Sequence, residues 1–318
     1  MTNSTDRDIT EADVLGYFDE LSNWGRWGDR DVKGTLNLIT PAVRVAAAKL
    51  VLSGQAVSLS RVIDPENPDP LGSGLAVVQR FMGLGEVEHM KGEAYRVEGV
   101  TDHVGISAHG SNTHVDALSH YSFDGKNYNG YPVTDTTALG GAKRLSMQDA
   151  DHGMVTRGVL LDIAALHDVP WLPTSFQIKP KDLDNAAARQ NTEIRSGDAL
   201  LFHTGSAARI VTNGPDPKDM QPGLHASCLP WLRDHDVSLL GSDAIQDVQP
   251  SGFASFDLFR PIHTVGLVAL GLWLIDNMEL TELAGTCEIL NRWEFLFAAT
   301  PWRFAGVTSA ATNPVAVF

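Results

Sequence analysis

Apolar and polar positions alternate with two different periods along this chain. Val14, Tyr17, Phe18 and Leu21 fall at i, i+3, i+4 and i+7, which makes one apolar stripe and predicts a helix. A second helix is marked by Thr40 as N-cap, Pro41 at its first position and Gly54 as its end. Together they predict an N-terminal helical segment over about residues 10–54. The pattern then shortens: Ala56 to Val62 alternates as a strand does, and Asp64 to Gly74, rich in Pro and Gly, reads as a loop. Further on, Val159–Ile163, Ala199–Phe202, Val237–Leu240 and Leu272–Ile275 read as strands, with a helix over Leu224–His235. Strands interleaved with helices predict an α/β fold. The chain holds no repeat, low-complexity tract or clear linker, so residues 1–318 are expected to form a single domain.

Composition narrows the function. With Lys plus Arg at 24 and Asp plus Glu at 39, the net charge is −15. That charge lacks the basic footprint of a nucleic-acid binder and is repelled by anionic membranes. The longest apolar run, Val265 to Ile275, is 11 residues, about half of a bilayer span. Two cysteines, Cys228 and Cys287, make neither a disulfide framework nor a paired metal motif. MTNSTDRDIT at the start is polar, unlike a signal peptide. These features predict a cytoplasmic protein.

Of 11 histidines, His103, His109, His114 and His120 crowd into one short window. His114 and Asp116 are two apart and share one face if the backbone is extended. Imidazole and carboxylate together suit a divalent ion such as Zn²⁺ or Mn²⁺. His120 is placed as a base beside such an ion, whereas His103 reads as structural. A cation of this kind lowers the pKa of water to about 7 and polarises a carbonyl, and an imidazole with a pKa near 6.5 can shuttle the proton. No nucleophile elbow, Gly-x-Gly-x-x-Gly or Walker string accompanies the cluster. Two alternatives stand beside a hydrolase. His114, Asp116 and His263 satisfy the 2-His-1-carboxylate rule of a non-haem Fe(II) oxygenase, and a binding protein could hold the ion without turnover.

Thr113-His114-Val115-Asp116-Ala117-Leu118-Ser119-His120 resembles the signature of the cyclase family of metal hydrolases, which includes bacterial kynurenine formamidase and isatin hydrolase. The family pattern is His-x-Gly-Thr-His-x-Asp-x-Pro-x-His. The likeness extends to Gly34–Thr40, Arg157–Asp162, Gly197–Leu201, Gly241–Asp243, His263, Ile275–Asn277 and Asn313–Val317. Leu118 stands where the family has Pro. Gly110 stands where it has the first His: either a one-residue insertion keeps His109 as the ligand, the preferred reading, or that ligand is lost. Asp276 replaces a Glu that helps hold a second metal in some members.

The resemblance implies a mixed β-sheet core flanked by helices, of the swivelling β/β/α type. It implies one or two ions held by His109, His114 and Asp116, with His263 and Asp276 completing the set, and His120 as general base and acid. The implied reaction is hydrolysis of a C–N bond other than a peptide bond, in an aryl formamide or a lactam, or of a lactone, by a homodimer or homotetramer. Trp24 and Trp27 are candidates to stack on a planar substrate, or they are core. Asn37 is a candidate substrate partner or a turn cap. Phe81 is a candidate pocket wall or core residue, and His225 reaches the pocket or sits on a surface helix. His203 reads as a core histidine, and Asp243 and Asp247 as carboxylates that hold loops.

Overall fold

The protein is described here by a computed structural model covering residues 9–67, 69–71, 78–83 and 101–318, with 78–83 and 101–103 as backbone only. Nine strands form one mixed sheet, numbered here along the chain. They are β1 (Ala56–Ser58), β2 (His114–Asp116), β3 (Met154–Asp162), β4 (Ala199–His203), β5 (Leu239–Ser242), β6 (Trp273–Asp276), β7 (Glu294–Ala299), β8 (Ser309–Ala311) and β9 (Val315–Val317). Their spatial order is β1-β9-β7-β3-β4-β5-β6-β2-β8. The central four, β3 to β6, run parallel, and the flanking strands pair antiparallel.

β4, β5 and β6 are buried along their whole length. That is why Ala199–Phe202 and Leu272–Ile275 read as unbroken apolar runs: parallel strands are covered on both faces. β8 pairs at one margin of the sheet and β9 near the other, yet only residues 312–314 separate them. Three residues span at most about 11 Å, so the sheet curls until its margins approach. Asn313 sits at this seam, where its Oδ1 accepts from the Ser58 hydroxyl at 2.7 Å and the Ser60 hydroxyl at 3.0 Å.

The helices follow their local signals. α1 (Glu11–Glu20) begins with a reciprocal cap between Thr10 and Asp13, and Val14, Tyr17, Phe18 and Leu21 turn toward the core. α2 (Pro41–Ala48) is capped by the Thr40 hydroxyl, but it ends six residues before Gly54. Other boundaries also shift. The strand expected over Ala56–Val62 is regular only over Ala56–Ser58. Ile163 opens the helix α3 (Ile163–Leu166) instead of ending a strand, because Asp162 caps it. Leu224 joins Gly223 in a two-residue parallel strand, and the helix there is Cys228–Asp234. The apolar run Val265–Ile275 is not one element. The short helix α4 (Pro261–Val265) passes into a π turn over Gly266–Leu270, Gly271 reverses the chain at φ +65°, and β6 follows. Among the described residues no helix is long and apolar enough to cross a membrane.

Candidate metal centre

Topology gathers the polar residues. The parallel strands β3, β4, β5 and β6 all end at one side of the sheet, where α/β folds place their sites. Asp276 closes β6, and the antiparallel register sets it directly opposite His114 on β2. Directly opposed residues share a face, and Asp116, two positions from His114, shares it too. His263 is delivered to the same place by α4.

Four histidines converge at Asp116. His109 Nδ1 is 3.2 Å from Asp116 Oδ1, His120 Nε2 is 3.7 Å from Oδ2, and His263 Nε2 is 3.4 Å from Oδ2. His114 Nε2 lies 3.7 Å from Asp116 Oδ1 and 3.8 Å from Asp276 Oδ2. His263 Nε2 is 3.5 Å from Asp276 Oδ2. Two overlapping groups, His109–Asp116–His120 and His114–Asp116–Asp276, each bring three donor atoms close enough to share one ion. Asp116 belongs to both.

The outer hydrogen bonds fix which nitrogen faces inward. His114 Nδ1 donates to the Asn112 carbonyl at 2.7 Å, leaving the Nε2 lone pair toward the carboxylates. His263 Nδ1 is 2.5 Å from Asp247 Oδ2, and the Asp247 carboxylate also accepts from the Ile262 and His263 backbone N–H groups at 2.7 and 3.3 Å. Partners of this kind orient metal-binding imidazoles. Asp247 therefore does hold backbone, as its sequence setting suggests, and it also aims His263.

The site fits a divalent cation on its own chemistry. Both Asp116 oxygens, Asp276 Oδ1 and His263 Nε2 are buried without a hydrogen-bond partner. An ionised carboxylate left so costs several kcal/mol, and buried polar atoms without partners call for an explanation. Imidazole nitrogens and carboxylate oxygens are the donors that zinc and manganese take. Burial pushes the Asp116 carboxyl up, but His120, His109 and His263 outweigh it and hold Asp116 well below the carboxylate range. Burial also takes the His120 imidazole down to about 4, against the pull of Asp116. An acceptor lone pair is thus available on His120 at neutral pH.

The cluster forms the floor of a cavity of about 510 Å³, whose walls include Leu71, Tyr121, Gln249 and Arg260. That size suits a small organic molecule. A second cavity of about 680 Å³ lies away from it around Arg157, Arg189 and Arg195, where Asp198, Asp168 and Glu193 already engage the three guanidinium groups.

The proposed substrate contacts separate from this floor. Trp24, Trp27, Asn37 and His225 are not among the described residues lining the cavity. Trp24 Nε1 donates to the Val268 carbonyl at 2.7 Å, and Trp27 carries the Arg26 guanidinium on its ring. Asn37, inside the 3-10 turn Gly34–Leu38, donates to Asp31 and to the Gly34 carbonyl. His225 stacks beside Phe253 and meets Ser227. Each is used by its own local structure. The Phe81 side chain lies outside the described residues, as does that of His103, although both backbones pair in the Val78–Gly83 and Thr101–Ile106 hairpin. Sequence reasoning missed Tyr121 and Arg260, neither of which belongs to a spaced motif. His203 is indeed buried on β4, but its two neighbours are carboxylates: Nδ1 is 3.1 Å from Asp162 and Nε2 is 3.8 Å from Asp243.

A family model described as a putative cyclase matches residues 37–246, and the chain belongs to this family. A solved structure described as a novel cyclase is 28% identical, with a TM-score of 0.84 over 94% of this chain and 100% of that one. Isatin hydrolase A from Ralstonia solanacearum, 19% identical, superposes with a TM-score of 0.59 over 87% of this chain and 97% of its own. Isatin hydrolase A from Labrenzia aggregata, bound to benzyl benzoate, is 15% identical with a TM-score of 0.57, covering 89% and 98%. The expected mixed-sheet, cyclase-like fold is therefore the one found. No curated protein matches the chain.

Proposed function

We propose that this protein is a metal-dependent hydrolase of a non-peptide C–N bond, in an aryl formamide or a cyclic amide, with a lactone as the related ester case. The observation that carries the reading is the Asp116 carboxylate, buried with both oxygens unpartnered at the meeting point of His109, His114, His120 and His263. The isatin hydrolase neighbours support it through their fold.

His109, His114, Asp116, His263 and Asp276 are the residues that would hold one or two ions, zinc or manganese. A divalent ion held there would polarise a carbonyl and bring the pKa of water down to about 7. His120, stacked on His109 at 4.0 Å between ring centroids, accepts the proton of the attacking water and returns it to the leaving nitrogen. Asp247 keeps His263 in the tautomer whose Nε2 faces the carboxylates. Tyr121 packs its ring against both His120 and His263 and helps to keep bulk water from them. The Fe(II) oxygenase reading leans on a jelly roll, whereas these residues sit on a mixed sheet with a parallel centre. A homodimer or homotetramer remains part of the proposal.

The test is metal analysis of the purified protein with a screen of N-formyl arylamines, isatin-like lactams and lactones. Hydrolysis should vanish in strong chelator and return on adding zinc or manganese. His120→Ala should keep its metal and lose about 10²- to 10⁴-fold in turnover. Undiminished hydrolysis by the chelated protein would end the reading.

A further inference from the structure

Arg260 is a second charged feature of the cavity, and the hydrolytic chemistry leaves it without a role. It sits at the N-terminal edge of α4, three residues before His263, with its backbone carbonyl fixed by the Thr264 N–H at 2.9 Å and hydroxyl at 2.8 Å. Its side chain lines the same cavity as His114, Asp116 and Asp276. The guanidinium lies over the Phe259 ring at 5.5 Å. Its buried Nε has no hydrogen-bond partner, and among the described residues no carboxylate comes within 4 Å of it. Burial opposes its charge, but Tyr121, Asp247 and Asp276 outweigh burial and keep it protonated.

Most of the nearby carboxylates are otherwise committed; Asp219, on the cavity wall, is exposed to solvent. Asp247 is bonded to His263 and two backbone N–H groups. Asp216, also on the cavity wall, is held by Arg209. Asp116 and Asp276 face the histidines. A shielded guanidinium with no carboxylate in contact is costly, and its planar fork matches an oxyanion such as a carboxylate. Gln249 adds the complementary feature. It lines the cavity, its Nε2 is spent on the Phe259 carbonyl at 2.8 Å, and its Oε1 is a buried acceptor without a donor.

From these features we infer that Arg260 determines specificity: the substrate is an anion whose carboxylate is taken by the Arg260 fork, with an N–H directed at Gln249 Oε1. The inference deepens the hydrolase reading by naming the substrate class, and it rests on that reading only for the bond that is cut. Uncharged formamides and lactams are then the poorer substrates.

The experiment measures binding, so that it stands apart from turnover. Calorimetry on the manganese-loaded full chain would compare benzoate with benzamide, its neutral isostere, in the wild type, Arg260→Gln and Arg260→Lys, with metal content and thermal midpoint recorded for each. The ratio of benzoate to benzamide affinity should fall ten- to a hundredfold in Arg260→Gln and by less in Arg260→Lys, which keeps the charge and loses the fork. An unchanged ratio, with benzoate binding as well without Arg260, would overturn the inference. So would an equal loss for both probes in the two variants, which would mark Arg260 as mere charge balance. Anion selectivity in a protein that hydrolyses nothing would keep this inference and sink the hydrolase reading.

Discussion

Asp247 and His263 form a 2.5 Å pair on the hidden side of the site. Neither the carboxylate nor Nδ1 faces the cavity floor; the pair exists to turn Nε2 toward Asp116 and Asp276. Asp247→Asn keeps the shape and removes the charge that holds this tautomer. Metal affinity should fall about 10- to 100-fold, read by titrating the stripped protein with zinc, while the circular dichroism spectrum stays the same. Undiminished affinity would show that His263 is not a ligand.

An ion bound at Asp116 also stabilises the fold by mass action. At 100 times its dissociation constant, the gain is about 2.7 kcal/mol. For a chain of this length that corresponds to a rise in thermal midpoint of about 4 °C. Scanning calorimetry with chelator and then with added zinc should show this rise, and Asp116→Asn should abolish it.

Gly271 tests how the floor is braced. It adopts φ +65°, and a Cβ there would come within 2.5 Å of the Tyr128 ring. Its carbonyl accepts from the Thr35 N–H and hydroxyl, tying the N-terminal segment to the turn before β6. Gly271→Ala should cost about 2–4 kcal/mol, the sum of a left-handed backbone and overpacking. Denaturant unfolding measures it; a change below about 1 kcal/mol would mean that Tyr128 moves aside freely.

His203 gives the pH dependence. Burial pushes its imidazole down, but Asp162, Asp243 and Glu279 outweigh burial and raise its pKa above the ordinary value. A group with a raised folded pKa contributes its full stability below the unfolded value, about 6.5, and loses it as pH climbs through the folded value. The stability difference between wild type and His203→Gln should therefore be largest below about pH 6.5 and shrink above it. A difference that stays flat from about pH 5 to 9 would mean that His203 is neutral throughout.

How much of this was legible in the sequence depends on how local the signal is. The parallel strands announced themselves because a short, unbroken apolar run marks a strand covered on both faces, and Ala199–Phe202 and Leu272–Ile275 are such runs. His114 and Asp116 could be paired because period two is a property of any strand. The partnership of Asp276 with His114 is a matter of register between distant strands, and only family resemblance brought it forward. Trp24, Trp27, Asn37 and His225 looked like pocket residues by type, but nearby backbone groups and neighbouring side chains claim them first. Arg260 and Asp247 carried no spacing at all; their meaning comes from what α4 brings beside them.

The narrow seam has a consequence for biosynthesis. β2, which bears His114 and Asp116, lies between β6 and β8, so its outer neighbour is made long after it. A nascent chain that has just released Asp276 already carries every candidate ligand, but the strand beneath two of them is bonded on one side only. Contacts so distant along the chain form slowly. Capture of an ion should therefore follow the docking of residues 309–311, as the closing act of folding.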